Sequence, residues 1–158
     1  MIEQAVAKGL FIATAESLTA GQLSSTIADT PGASKVLLGG MVSYQDAVKT
    51  QLLGVSAQLI ASQSAVDPEV AIQMAAGIRS KLANATGVDS KKVIGISTTG
   101  VAGPDPVGSK PVGEVYIGIS SEAGERVYAE HFAGSRAEIR SQVVVRAIEI
   151  LREEIGNF

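Results

Sequence analysis

LFIATAESLTAGQLSSTIADTPGASKVLLGGMVSY, Leu10 to Tyr44, is the stretch that decides the fold. Leu10–Ala15 is a short apolar run and reads as a buried strand. From about Leu18 or Thr19 to Asp29, the apolar Ala20, Leu23 and Ile27 recur on one side of a helix, which Thr30-Pro31-Gly32 stops. Lys35–Tyr44 is strand-like again, interrupted by Gly39–Gly40, the mark of a bulge or a close backbone approach. Strand, helix, strand in this order reads as the start of a parallel sheet.

The rest of the chain extends that pattern. Residues 1–8 supply two turns of helix closed by Gly9. Gln45–Leu53 reads as a short helix ending at Gly54, with a further turn over Ala57–Ser62. Asp67-Pro68-Glu69 is a strong helix start: an aspartate cap, proline at the first position and acid in the first turn. Ala71, Met74, Ile78 and Leu82 then recur at helical spacing to about Ala85. Lys92–Thr98 reads as a buried strand, and Gly113–Ser120 and Glu125–Ala133 as strands joined in a hairpin through Glu122-Ala123-Gly124. Ser135-Arg136-Ala137-Glu138 is a capping box opening a last helix, whose apolar face is Ile139, Val143, Ala147 and Leu151. The class is α/β: three layers, α/β/α, around a mixed, mostly parallel five-stranded sheet, with the hairpin adding one antiparallel strand. Without a linker or repeat, residues 1–158 are expected to form one domain.

Composition narrows the chemistry. At 46% hydrophobic and 18% charged residues the chain is of ordinary globular type. The absence of cysteine removes disulfides, thiolate metal sites and a cysteine nucleophile. His131 is the only histidine, in the alternating run Arg126–Phe132, where it reads as a strand side chain; no histidine pair can hold a metal. The net charge is −3, with dispersed basic residues and only three Tyr and three Phe, so nucleic acid is not an expected partner. No apolar run reaches the ~18–20 residues of a membrane span. The N-terminus lacks a basic region and carries Glu3 and Glu16, so no signal peptide is expected and the location is read as cytoplasmic.

Polar residues gather at two strand ends. In Ala15–Gly21 (AESLTAG), Ser17 or Thr19 either caps the following helix or, with free helix amides, binds an anion or oxyanion. Glu16 would repel an anion and reads as orienting another polar group. Thr98–Asp105 (TTGVAGPD) fits neither a P-loop nor a dinucleotide-binding turn, but with Pro106–Pro111 it makes a connection longer than most, as functional loops are. Ser34 and Lys49 lie fifteen positions apart with Tyr44 between them; a solvated Lys49 is the default. Buried beside Ser34, it would become a base as its pKa fell from about 10.4 toward 7–8. Arg136 and Arg140, one helical turn apart, are either surface charges or a phosphate clamp at a helix N-terminus.

TAES-x-T-x-G at Thr14–Gly21, Gly32-Ala33-Ser34, Ser43-Tyr44 with Lys49, TG-x-AGP at Thr99–Pro104, KPVG at Lys110–Gly113 and FAGSR at Phe132–Arg136 occur in order. This series resembles the CinA C-terminal domain family over about Ala13–Ile155. The resemblance implies an anticodon-binding-domain-like α/β/α fold and hydrolysis of the carboxamide of nicotinamide mononucleotide to nicotinate mononucleotide and ammonia, in pyridine-nucleotide salvage. It implies Ser34 as nucleophile and Lys49 as its base, with Ser17 and Thr99 along the carboxamide. Thr19, Gly21, Gly100 and Gly103 would line the substrate, and Tyr44 with Arg136 or Arg140 would complete the pocket. It implies no metal or organic cofactor, and a homodimer or higher homo-oligomer. Leu18 stands where the family has cysteine, Ala20 where it has glycine, and Asp67 where it has serine; Ala20 is expected to crowd a ligand-facing turn. The alternative is a non-catalytic binding protein linked to competence or DNA damage, against which stands the retention of Ser34, Lys49 and Thr99.

Overall fold

Side chains alternate between two apolar faces along the central strands, and this alternation sets the layers. The computed structural model describes all residues, Met1–Phe158. In chain order the elements are α1 (Ile2–Lys8), β1 (Phe11–Glu16), α2 (Gln22–Ala28), β2 (Leu37–Val42), α3 (Asp46–Leu53), α4 (Ala57–Gln63), α5 (Pro68–Thr86), β3 (Val93–Gly100), β4 (Glu114–Ser121), β5 (Gly124–His131) and α6 (Arg136–Asn157). Short 3-10 turns at Ala33–Lys35 and Ser90–Lys92 lead into β2 and β3. No helix is long and apolar enough to cross a membrane.

Ile12, Ile94, Ile96, Ile117 and Ile119 face one way and pack with α1, α2 and α6. Ala13, Ala15 and Val93 face the other way and pack with α3 and α5. The sheet order is β2-β1-β3-β4-β5, with β1 parallel to both β2 and β3. β4 is antiparallel to β3 and to β5, so it alone runs against the rest. This is the three-layer, mostly parallel arrangement that the strand and helix periods imply.

The Gly39–Gly40 signal is a close approach next to a bulge. The β1–β2 register shifts between Ile12 and Ala13, and a side chain on Gly40 would collide with the hydroxyls of Thr14 and Ser24. α5 lies against the sheet in the same way, since a Cβ on Gly118 would run into the Ala71 carbonyl. Gly118→Ala must push α5 off the sheet and is expected to destabilise the protein by about 1–3 kcal/mol, read by urea unfolding. A variant as stable as the wild type would show that the helix has room to move.

α2 begins at Gln22, later than the apolar spacing suggests. Ala20 (φ 51°) and Gly21 (φ 93°) adopt left-handed backbone conformations, so residues 17–21 form a turn instead of a first helical coil. β3, in contrast, continues through Gly100.

Candidate functional site

The three parallel strands β1, β2 and β3 end on one side of the sheet, and their exits diverge. β1 leads through its turn to α2, whereas β3 leads through Val101–Gly113 to β4. A crevice at such a divergence is where α/β sheets bind ligands. Here a cavity of about 190 Å³ is lined by Ser17, Leu18, Tyr44, Gly100, Val101, Ala102, Gly103, Asp105, Val107 and Arg136. That is smaller than the ~300–1,000 Å³ usual for whole ligands, a space suited to one ring and a small substituent.

Glu16 organises the first wall. Its carboxylate is fully buried and accepts the amides of Gly21 (2.9 Å) and Leu23 (3.0 Å) on Oε2. Its Oε1 accepts the Ser24 amide (2.8 Å) and the Ser24 hydroxyl (2.6 Å). The side chain therefore fills the anion site that the Ser17–Gly21 turn offers at the start of α2, and Gly21 is a cap donor with no place along the cavity. Thr19 is also turned inward, its hydroxyl paired with that of Thr98 at 2.7 Å. Ala20 is exposed and outside the cavity lining, which corrects the expectation that it crowds the ligand.

The Glu16–Val42 register brings the residues after β1 and β2 side by side, and the Ser43 amide donates to the Glu16 carbonyl at 2.8 Å. Ser17 and Tyr44 consequently share the cavity. Behind Tyr44 lies Lys49, only 1% exposed, whose Nζ donates to the Tyr44 carbonyl (3.1 Å) and to Asp46 Oδ1 (3.3 Å). The solvated reading of this lysine is thus set aside. Burial pushes the Lys49 ammonium below its usual pKa, and the Asp46 carboxylate opposes that shift. Asp46 is a partner that the reading by residue missed, although its position one turn before Lys49 on α3 was available.

Ser34 is not brought to this lysine. It sits exposed in the 3-10 turn before β2, whereas Lys49 follows β2. Six strand residues separate the two ends by roughly 20 Å at about 3.3 Å per residue, so Ser34 belongs to the opposite end of the strands. Of the serines at the lysine's end, Ser43 is fully buried and Ser17 lines the cavity.

The β3 side shows a similar sorting. Thr99 donates to the Ala65 carbonyl at 2.7 Å and points toward the α4–α5 connection, so it ties down that loop and does not line the cavity. Gly100 and Gly103 do line it. Arg136 is the one cation in the lining; its guanidinium donates to the Gly103 carbonyl and to the Tyr44 hydroxyl, both at 2.6 Å. Arg140 lies outside and donates to the carbonyls of Leu18 (2.9 Å) and Thr19 (2.8 Å). α6 opens with a capping box, in which Ser135 and Glu138 bond reciprocally. The two arginines are therefore not brought together on one site: Arg136 lines the cavity, and Arg140 grips the turn after β1. His131 stays on edge strand β5, and no group of three potential ligands for a metal ion exists.

Residues 1–155 match the CinA C-terminal domain family. A Bacillus velezensis protein named for competence-damage induction is 48% identical over 134 residues, 85% of this chain and 30% of the relative. A CinA-like protein of Frankia casuarinae is 40% identical over 152 residues, 96% of this chain and 33% of the relative. The chain thus spans about a third of the length of these relatives. Among solved structures, the competence/damage inducible protein CihA of Agrobacterium tumefaciens is similar with a TM-score of 0.87 and 30% identity, covering 96% of this chain and 89% of that one.

Proposed function

The chain belongs to the CinA C-terminal domain family, and from that premise we propose that it is an amidohydrolase acting on the carboxamide of nicotinamide mononucleotide, with Ser17 as nucleophile and Lys49 as base. The observation that carries this reading is a buried, pKa-lowered lysine held against the Tyr44 wall of a ring-sized cavity that Ser17 also lines. Ser17 Oγ has no hydrogen-bond partner in the protein, and Lys49 Nζ uses two of its three donors, so both retain capacity for each other.

In this mechanism Ser17 Oγ attacks the carboxamide carbon and its proton passes to Lys49 Nζ. The tetrahedral adduct collapses as Lys49 returns that proton to the leaving nitrogen, and ammonia departs. Lys49 then takes a proton from water, which attacks the acyl-serine, and gives it to Ser17 Oγ as nicotinate mononucleotide leaves, so both side chains are restored. The cavity holds the ring and carboxamide; the ribose phosphate extends past its mouth, where Arg136 supplies the positive charge. The test is ammonia release from nicotinamide mononucleotide by the purified protein, with nicotinamide riboside and nicotinamide as comparison substrates. No release above background would leave the non-catalytic binding role. The same reading expects a cytoplasmic homo-oligomer, a point for sedimentation.

Asp46 gives the reading a pH signature. Its carboxylate raises the Lys49 pKa against the effect of burial. Asp46→Asn should therefore lower the Lys49 pKa further, and the acid limb of kcat/KM should move to lower pH. A limb that moves to higher pH, or stays in place, would remove Lys49 from the role of base.

A further inference from the structure

Three of the four buried residues in the cavity lining keep a backbone donor without a partner. Val101 N–H donates to the Glu114 carbonyl at 2.9 Å, but the N–H groups of Leu18, Ala102 and Gly103 find no acceptor in the protein. Buried amides are nearly always paired, so unpaired ones along a cavity point to an acceptor that a ligand supplies.

The sheet fixes the direction of one of them. β3 lies between β1 and β4, and Val101, just past its end, prolongs the pairing with β4. Its N–H donates to Glu114, and its carbonyl accepts the Gly113 N–H at 2.8 Å. The Val101–Ala102 peptide is trans, so its N–H points opposite to its carbonyl. Ala102 N–H is therefore aimed away from β4, toward the side on which β1 ends. β1 is parallel to β3, and Ser17 N–H donates across to the Thr98 carbonyl at 2.9 Å. Ser17 and Leu18 thus leave the sheet on that side and at the same end. There the Ser17 carbonyl is taken by Ala20 N–H at 3.2 Å, which aims Leu18 N–H out of the turn. Ser17, Leu18 and Ala102 all line the one cavity of about 190 Å³.

We propose that the N–H groups of Leu18 and Ala102 form the oxyanion-stabilising pair for acyl transfer at Ser17, one donor from the exit of β1 and one from that of β3. This rests on the reading of Ser17 as nucleophile. As Ser17 Oγ bonds to the carboxamide carbon, its proton passes to Lys49 and the carbonyl π electrons move to oxygen, where the two amides receive the charge. When the C=O bond re-forms, the C–N bond breaks and ammonia leaves with that proton. The amide directly after a nucleophile on a strand-to-helix turn, joined by one from the loop of a neighbouring strand, suits this task. Donors held by the sheet need no rearrangement as charge develops.

Replacing Ala102 by lactic acid, an amide-to-ester change, deletes the N–H and keeps the side chain. It is expected to lower kcat on nicotinamide mononucleotide by about 10²–10³-fold with KM within about threefold. Because this N–H has no partner in the fold, the melting temperature should stay that of the wild type. An ester protein with wild-type kcat, or one whose activity falls only with its folded fraction, overturns the proposal. The second measurement is amide NMR of the wild type with pyridine-3-boronic acid, which forms a tetrahedral adduct on an active serine. The Leu18 and Ala102 N–H resonances should move downfield in the adduct and stay in place in Ser17→Ala. Adduct formation with either resonance unmoved, or no adduct, rejects the pair. Turnover with unmoved resonances rejects the pair and leaves the amidase reading standing. An adduct that moves both, without turnover of the nucleotide, supports the pair and removes the nucleotide substrate.

Discussion

Ser17→Ala is expected to lower turnover of nicotinamide mononucleotide by about 10³-fold or more, whereas Ser34→Ala should stay within about twofold of the wild type. Both serines lie in motifs shared with the family, so the contrast tests geometry and not motif content. Ser17 lines the cavity with Tyr44, whose carbonyl the buried Lys49 holds; Ser34 is exposed before β2. Removing a hydroxyl from either position creates almost no cavity, so the folded fraction should not change. Steady-state ammonia release measures both. Loss in Ser34→Ala together with retention in Ser17→Ala would put the chemistry at the other end of the strands.

Lys49→Met should abolish turnover by a similar factor while leaving stability unchanged or raising it by about 1 kcal/mol. Lys49 is 1% exposed and its pKa is lowered by burial, so the fold holds the protonated side chain less favourably than water does. Methionine fills a similar volume without that charge. The unfolded lysine binds a proton more tightly than the folded one. The destabilisation is therefore full below the folded pKa and fades as pH rises through it toward the unfolded value. The variant's advantage in melting temperature should accordingly be largest at low pH and shrink as pH rises. A variant that unfolds at ordinary temperature would mean that the lysine serves the fold, through its bond to the Tyr44 carbonyl.

Much of the architecture is legible because it is written in short-range terms. The strand at Phe11–Glu16, the cap at Asp67-Pro68, the capping box at Ser135–Glu138 and the hairpin at Glu122–Gly124 each depend on residues a few positions apart. The boundaries that differ have long-range causes. α2 starts late because the Glu16 carboxylate draws the amides of Gly21, Leu23 and Ser24 around itself. β3 runs past Thr98 because β4 pairs with it to Gly100, and strand parity then turns Thr99 to Ala65.

The sequence by itself determined the layers, the order of strands and helices, and the short stock of groups from which a site could be made. It could not rank the serines, because Ser17 and Ser34 both belong to shared motifs and neither spacing to Lys49 encodes a distance in space. That ranking needs the direction of β2, which carries Ser34 and Lys49 to opposite ends of one strand, and the pairing of β2 with β1, which seats Ser17 beside Tyr44. The place of Arg140 likewise comes from a contact between residues 122 positions apart, made only once α6 packs across the sheet. A residue's neighbours along the chain decide its local conformation, but which groups meet at a strand end depends on how distant segments pack.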